Sequence, residues 1–369
     1  MTAKIALFIP SLMPGGVQRV MLNLSRGLAE RGCQVDIVLA QAAGPFLERV
    51  PAGVRVVDLR AGRVLASLPA LVRYLRSERP SSMLSAQPHC NLVAIWARTL
   101  ARPGMRLVVS EHGYTTSALQ NSRRLADRFL PFLMRRFYRR ADAVAAVSRG
   151  TAEDLAARSG LPLERIAVVH NPVVAPEIEE LARLPLAHPW FAAGAPPVLL
   201  AAGRMHPAKD YPTLLRAFAD LRSRRAARLV ILGDGKQRPE LEALAASLGI
   251  AADVDMPGFA DNPFAFMARC AALVLSSRWE GFGNVLVEAM ACGAQVVSTD
   301  CPGGPAEILE NGKYGRLAPV GDAPALAAAI ESALDDPLPP EQIRTRARAF
   351  SIEAATEKYL RLLTGERDG

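Results

Sequence analysis

Short apolar or β-branched runs alternate with stretches of helical period along most of the chain, and this alternation limits what it can fold into. Lys4 to Ile9, Gln34 to Ala40, Val54 to Leu59, Ser82 to Ala86, Leu107 to Ser110, Ala143 to Ser148 and Ile166 to His170 read as strands. Val17 to Ala29, Leu65 to Arg76 and Asn91 to Leu100 read as helices between them. A strand, a helix and a strand in succession bury the helix on a parallel sheet. The pattern predicts one doubly wound α/β domain over 1–170.

From Asn171 to Pro197 the periodicity breaks, with several prolines and the segment HPWFAAGAPP, so 171–197 is expected to be an interdomain linker. The alternation resumes at Val198 to Ala202, Pro212 to Arg222, Leu229 to Leu232 and Glu240 to Leu248. It predicts a second doubly wound domain over 198–352. Asp322 is placed to cap the amphipathic helix that follows it, and Glu353 to Leu363 reads as a last helix. The 369 residues, half of them apolar, suit two cores better than one.

The net charge of +8 favours an acidic partner: a nucleotide sugar, an anionic lipid or a nucleic acid. The arginines lack the context of a nucleic-acid reader module, so no nucleic acid is expected. Cys33, Cys90, Cys270, Cys292 and Cys301 have no C-x-x-C spacing, and reduced thiols without a metal site are expected. No uninterrupted apolar run approaches the roughly 18 residues of a membrane span. MTAKIALFIPSLMPGG reads as a first strand rather than a signal peptide, which makes the expected location cytoplasmic.

The most informative stretch is SSRWEGFGNVLVEAMACGAQVVSTDCPGGPAEILEN, from Ser276 to Asn311. The strand-like run Ala271 to Ser276 ends in a glycine-rich turn that leads into the helical segment Val285 to Cys292. Gly281 and Gly283 let backbone approach a ligand, and the helix start offers free N–H groups and a positive dipole end to an anion. Glu280 and Glu288 flank that start with seven residues between them. Two glutamates at one spacing are common by chance, but here loop, glycines, helix start and carboxylates coincide. The arrangement suits a diphosphate with sugar and ribose hydroxyls to either side.

Arg204 and Lys209, in the loop GRMHPAKDY, flank a turn so that both cations could reach one pyrophosphate. Gly15 and Gly16 precede a helix start without a G-x-G-x-x-G, for which a plain turn is the more frequent explanation. His112, in VVSEHGYTT, stands just past a strand's carboxyl end, where such sheets bind ligands, with Glu111 as its neighbour.

The stretch SSRWEGFGNVLVEAMACGAQVVSTDCPGGPAEIL resembles the donor-sugar signature of retaining glycosyltransferases of family 4. That resemblance implies the GT-B architecture, two Rossmann-like doubly wound domains facing each other across a cleft, the last helix crossing back to the first domain. GRMHPAKDYPTLLRAF resembles the family segment whose Arg and Lys, here Arg204 and Lys209, neutralise the departing diphosphate in place of a metal ion. GGVQR matches the loop that faces the diphosphate with Gly15 and Gly16, and SEHG matches the position where a histidine, here His112, contacts the donor sugar. Glu280 with the backbone of Phe282, Gly283 and Asn284 is implied at the sugar hydroxyls, beside Gly281 and Val285, and Glu288 at the ribose. Gly233, Asp234 and Phe259 are implied near the nucleobase. CPGGPAEIL resembles members that act on bacterial surface polysaccharides and lipid-linked oligosaccharides, often moving galactose-type or N-acetylhexosamine units.

The activity expected is transfer of a hexose or N-acetylhexosamine from a nucleotide sugar, UDP-linked by preference, to a lipid-linked saccharide or polysaccharide, with no cofactor and no metal. A nucleotide-sugar epimerase of the same shape is an alternative, distinguished by an isomerised sugar without released UDP. A non-catalytic sugar-binding protein ranks lower. RRLADRFLPFLMRRFYRR, from Arg123 to Arg140, carries seven arginines and one aspartate. It can lie on anionic lipid at the inner face of the membrane, with Phe129, Phe132, Leu133 and Phe137 toward the acyl chains, or pack on its own sheet. Pro131 is expected to kink or interrupt that helix.

Overall fold

The computed structural model describes residues 3–102, 104–114 and 129–366. Two compact units divide the chain: Met1–Val173 with Ser351–Gly369, and Val174–Phe350. The first unit holds seven strands: β1 (Lys4–Ile9), β2 (Gln34–Leu39), β3 (Val54–Asp58), β4 (Ser82–Ala86), β5 (Arg106–Glu111), β6 (Ala143–Ala146) and β7 (Ile166–Val168). Every pairing is parallel, in the order β3-β2-β1-β4-β5-β6-β7. Winding starts at the centre and reverses between β1 and β4, the signature of a doubly wound sheet.

The second unit repeats the plan with β8 (Val198–Ala202), β9 (Arg228–Leu232), β10 (Val254–Gly258), β11 (Ala272–Leu275), β12 (Gln295–Thr299) and β13 (Arg316–Ala318). The order is β10-β9-β8-β11-β12-β13, parallel throughout, and the reversal falls between β8 and β11. The central strands are buried on both faces, which explains their continuous apolar runs.

The segment expected as a linker, 171–197, is largely folded. Residues from Val174 onward group with the second unit. Its helix Glu177–Arg183 is held by Asn262 Nδ2, which donates to the Leu181 carbonyl at 2.8 Å, and by Arg269, which donates to the Ala182 carbonyl at 3.0 Å. His188 lies 3.0 Å from an Asp255 carboxylate oxygen, edge-on to Trp190, Phe191 and Phe266. The prolines signalled a change of period, but the segment's apolar rings give it a place on the unit.

The last helix, Ile352–Thr364, belongs to the first unit. It lies close against the helix Gly16–Glu30: a side chain on Gly27 would meet Thr356 Oγ1 at 2.2 Å. Ser351 caps its start, its Oγ accepting from the Ala354 N–H at 3.2 Å. Asp322 likewise caps the helix Ala323–Asp335, accepting from the Ala325 N–H at 2.9 Å.

Of the basic segment, residues 123–128 lie outside the described residues. The remainder forms the helix Leu130–Phe137, and Pro131 sits in its first turn, where its missing N–H costs nothing. Leu130, Met134 and Tyr138 are buried in the core, and Leu133 and Phe137 pack against it. Phe129 and Phe132 are each 66% exposed. The structure therefore separates the four residues expected to face lipid: two serve the core and two face outward. The five cysteines are free thiols, each pushed up by burial.

Candidate functional site

In the second unit, the loops after β8 and β11 leave the carboxyl ends of the two strands at the winding reversal, where open α/β sheets bind ligands. The β8 loop carries Arg204 and Lys209, and the β11 loop carries Glu280. Their backbones are bound together: the Arg278 N–H donates to the Ala208 carbonyl at 2.8 Å, and Ser276 Oγ donates to the Lys209 carbonyl at 2.7 Å. Lys209 Nζ donates to Glu280 Oε1 at 2.6 Å, and Ser277 Oγ donates to the same oxygen at 2.6 Å. The two charged side chains are mostly buried, 22% and 13% exposed. Sequence reading assigned these residues to separate groups of a ligand, and the structure makes them one pair. Arg204 is exposed and has no ion-pair partner among the described residues.

Asp210, nearly buried, ends the β8 loop with a left-handed φ of 46°. Its carboxylate accepts from Thr213 Oγ1 at 2.9 Å and Arg278 Nε at 3.1 Å. Asp210, Ser277 and Arg278 thus fix the loops that carry the charged pair, and no motif reading singled them out. His206 accepts from the Ala208 N–H at 3.2 Å, and burial with the charges of Arg204 and Lys209 lowers its pKa.

Glycines let these loops pack backbone on backbone. A side chain on Gly303 would meet the Glu280 carbonyl at 1.9 Å, and one on Gly233 would meet the Gly203 carbonyl at 2.3 Å. Gly233 therefore has a packing reason, with a φ of 115° that only glycine adopts cheaply. Asp234 is exposed and bonds its neighbour's N–H, and Phe259 stands 63% exposed at the end of β10.

The helix Asn284–Ala291 begins directly after Gly283, whose φ of 105° turns the chain into it. Gly281, Asn284 and Val285 are half-buried around that start, and Glu288 is buried one turn in. Phe282 differs from a ligand-facing residue: its ring is buried, edge-on to Phe350 at 5.4 Å. It can offer only backbone to a ligand.

In the first unit, Gly15 and Gly16 open the helix Gly16–Glu30 in extended and helical backbone. His112 follows β5 directly. Its Nε2 lies 3.0 Å from Ser110 Oγ, which lies 3.1 Å from the hydroxyl of Tyr359. Burial lowers the imidazole pKa to about 4, so the ring is neutral near pH 7, and its Nδ1 meets no hydrogen-bond partner among the described residues.

Glu111 turns the other way, into the core. Its Oε1 accepts from Asn91 Nδ2 at 2.8 Å and from the Tyr138 hydroxyl, while Oε2 meets no hydrogen-bond partner among the described residues. Burial raises its pKa to about 7, opposed by the bonds from Tyr138 and Asn91. A carboxyl whose folded pKa lies above its unfolded value stabilises fully below the unfolded pKa and loses that contribution as pH rises through the folded one. Stability of the first unit is therefore expected to fall between about pH 4.5 and pH 7, by on the order of 3 kcal/mol at about 1.4 kcal/mol per unit. Thermal melts across that range check it, with a flatter profile for Glu111→Gln.

Gln87, after β4 at the first sheet's winding reversal, holds φ 80° and ψ 143°. That conformation is strained for any residue with a side chain. Gln87→Gly is expected to stabilise the protein by about 1 kcal/mol, strain relief outweighing glycine's entropy cost, read as a raised melting temperature.

Two doubly wound parallel sheets, the second with a cation-lined loop pair at its reversal point, define the GT-B class. Two family models match side by side: Glycosyltransferase Family 4 over residues 14–175 and Glycosyl transferases group 1 over residues 188–350. The chain belongs to the family 4 glycosyltransferases and is an enzyme of that class. It is 29% identical to the N-acetylgalactosamine-N,N'-diacetylbacillosaminyl-diphospho-undecaprenol 4-alpha-N-acetylgalactosaminyltransferase of Campylobacter jejuni, covering 98% of this chain and 100% of that protein. It is also 29% identical to the lipopolysaccharide core biosynthesis glycosyltransferase LpsE of Rhizobium meliloti, covering 95% and 96%. Among solved structures, HepE of Anabaena in complex with UDP superposes with a TM-score of 0.76 at 22% identity, over 99% of this chain and 100% of that one. The sucrose-phosphate synthase of Thermosynechococcus elongatus gives 0.80 at 21%, over 98% of each. These likenesses agree with the fold.

Proposed function

We propose that the enzyme transfers a hexose or N-acetylhexosamine from a UDP-linked donor to a hydroxyl of a lipid-linked saccharide or polysaccharide, with retention at the anomeric carbon. The observation that carries this reading is the pairing of Lys209 with Glu280 beside exposed Arg204, at the reversal point of the second sheet. Such a pair can part to offer a cation to phosphate and a carboxylate to sugar hydroxyls. Arg204, Lys209 and the start of the helix Asn284–Ala291 would stabilise charge on the leaving diphosphate, with no metal required. Glu288 would hold the ribose, Glu280 the sugar, and His112 the sugar near its reacting carbon.

Retention is proposed to proceed by front-face attack. The bond from the anomeric carbon to the β-phosphate oxygen breaks, the acceptor oxygen bonds to the same face, and its proton passes to the departing phosphate. Positioning and charge stabilisation suffice for such a step. The UDP bound in HepE supports the nucleotide, and the undecaprenol-linked and lipopolysaccharide names of the relatives support the acceptor class.

The acceptor would be met at the cytoplasmic membrane face. No helix among the described residues is long and apolar enough to cross a membrane. Exposed Phe129 and Phe132 stand beside exposed Arg135, Arg136, Arg139 and Arg140, a surface suited to shallow insertion among anionic headgroups. The test is a screen of UDP- and GDP-sugars in the presence of EDTA, read as released nucleoside diphosphate. Release from a UDP-sugar is expected, and no release from any sugar nucleotide would overturn the reading. Flotation with phosphatidylglycerol vesicles, lost in Phe129→Ser/Phe132→Ser, tests the membrane part.

A further inference from the structure

We propose that Tyr359, on the chain's last helix, is a positioning residue that holds His112 in one tautomer and orientation through the hydroxyl of Ser110. The functional weight of this relay rests on the reading of His112 as a residue of the active site. The relay itself stands on geometry: Tyr359 Oη to Ser110 Oγ is 3.1 Å, and Ser110 Oγ to His112 Nε2 is 3.0 Å.

All three groups come from elements packed in one core. Ser110 is fully buried on β5, and Tyr359 is fully buried in the cluster that includes Leu7, Leu84 and Val108. A phenylalanine would fill the same apolar space, so packing alone does not ask for the hydroxyl. A buried hydroxyl needs a partner, and here the partner leads to the imidazole.

The direction of the relay follows from its two hydroxyls. A Tyr359 hydroxyl that donates to Ser110 leaves the Ser110 proton for the lone pair of Nε2, which puts the ring proton on Nδ1. Nδ1 meets no hydrogen-bond partner among the described residues, so the bond at Nε2 is the one that holds the ring. His112 is thereby presented to the sugar as an oriented neutral group, and the last helix sets its angle.

The experiment compares Tyr359→Phe with wild type by imidazole 15N NMR and by UDP release from the UDP-sugar that the hydrolysis screen identifies. The His112 Nε2 resonance, assigned by its absence in His112→Ala, is expected to move. The kcat is expected to fall about fivefold with donor KM within about twofold, the effect of losing one orienting hydrogen bond. In a His112→Ala background, Tyr359→Phe is expected to leave the remaining kcat unchanged. Should Tyr359→Phe fail to fold, Ser110→Ala removes the middle of the relay without adding volume, with the same shifts expected.

An unmoved Nε2 resonance overturns the relay, and so does an equal loss of kcat with and without His112. If His112→Ala alone leaves turnover intact, the catalytic reading of His112 fails while the resonance shift still decides the relay.

Discussion

Lys209→Glu is expected to lower kcat/KM for the UDP-sugar by about a thousandfold. The substitution removes a cation from the site proposed for the leaving diphosphate, and the loss of one preorganised charge-stabilising group costs roughly a hundred- to a thousandfold. It also sets a second carboxylate where Lys209 Nζ now lies 2.6 Å from Glu280 Oε1. That repulsion, in a nearly buried place, is expected to lower the melting temperature as well. Adding Glu280→Gln separates the two effects: stability returns, because the like charges are gone, and turnover does not. UDP release at the wild-type rate in Lys209→Glu would remove Lys209 from the site.

Asp36→Ala is expected to destabilise the first unit by about 3–5 kcal/mol, the cost of breaking a buried charged network by removing one partner. Asp36 is buried on β2 and accepts from Arg55 Nε at 2.8 Å, Arg55 Nη2 at 2.6 Å and the Tyr74 hydroxyl at 2.6 Å, with Lys4 Nζ at 3.7 Å. Burial pushes its pKa up, but the bonds from Arg55 and Tyr74 and the charges of Arg55 and Lys4 outweigh it and leave it below the usual range. Glu78 joins the network through Arg55 and Lys4, and the bond from Arg55, then that from Lys4, depresses its pKa to about 2. Arg55 is half exposed and solvent screens its pair with Glu78, so Asp36 carries most of the effect.

Both carboxyls have folded pKa values below their unfolded ones. Their contribution is present above the unfolded values and is lost as pH falls through the folded ones, which for Glu78 is about 2. Calorimetry of Asp36→Ala at pH 7 checks the stability loss, expected to be about 10 °C in melting temperature. A weaker response to acid than wild type checks its origin.

The strands were legible because each is an apolar run closed by a turn, and the doubly wound order follows from helices falling between them. QVVST and RLA, the strands β12 and β13, were not singled out: one lies inside the glycosyltransferase signature, and the other is only three residues long. Glu280, Lys209 and Arg204 were legible from motif context, but the ion pair joining Lys209 to Glu280 was not, since their loops are brought together by sheet order rather than by sequence distance. Ser110 and Tyr359 illustrate the same limit, as a serine in a strand and a tyrosine in an amphipathic helix carry no local mark of contact. The left-handed backbone at Gln87 was also hidden, because glycine or asparagine is the residue that announces such a conformation. In the basic segment, period and charge suited both lipid and core, and the side each ring faces was decided by packing on the sheet.

The first unit is sewn from both ends of the chain, and the second is a single continuous loop-out from it. At the point where that excursion leaves and returns, the Val174 N–H donates to the Phe350 carbonyl at 3.0 Å. Chain ends held that close can be cut free with little loss of loop entropy, which makes residues 174–350 a natural stand-alone module. The same closeness suits it to being grafted into another host protein at a surface turn, or to having its own ends joined and reopened elsewhere.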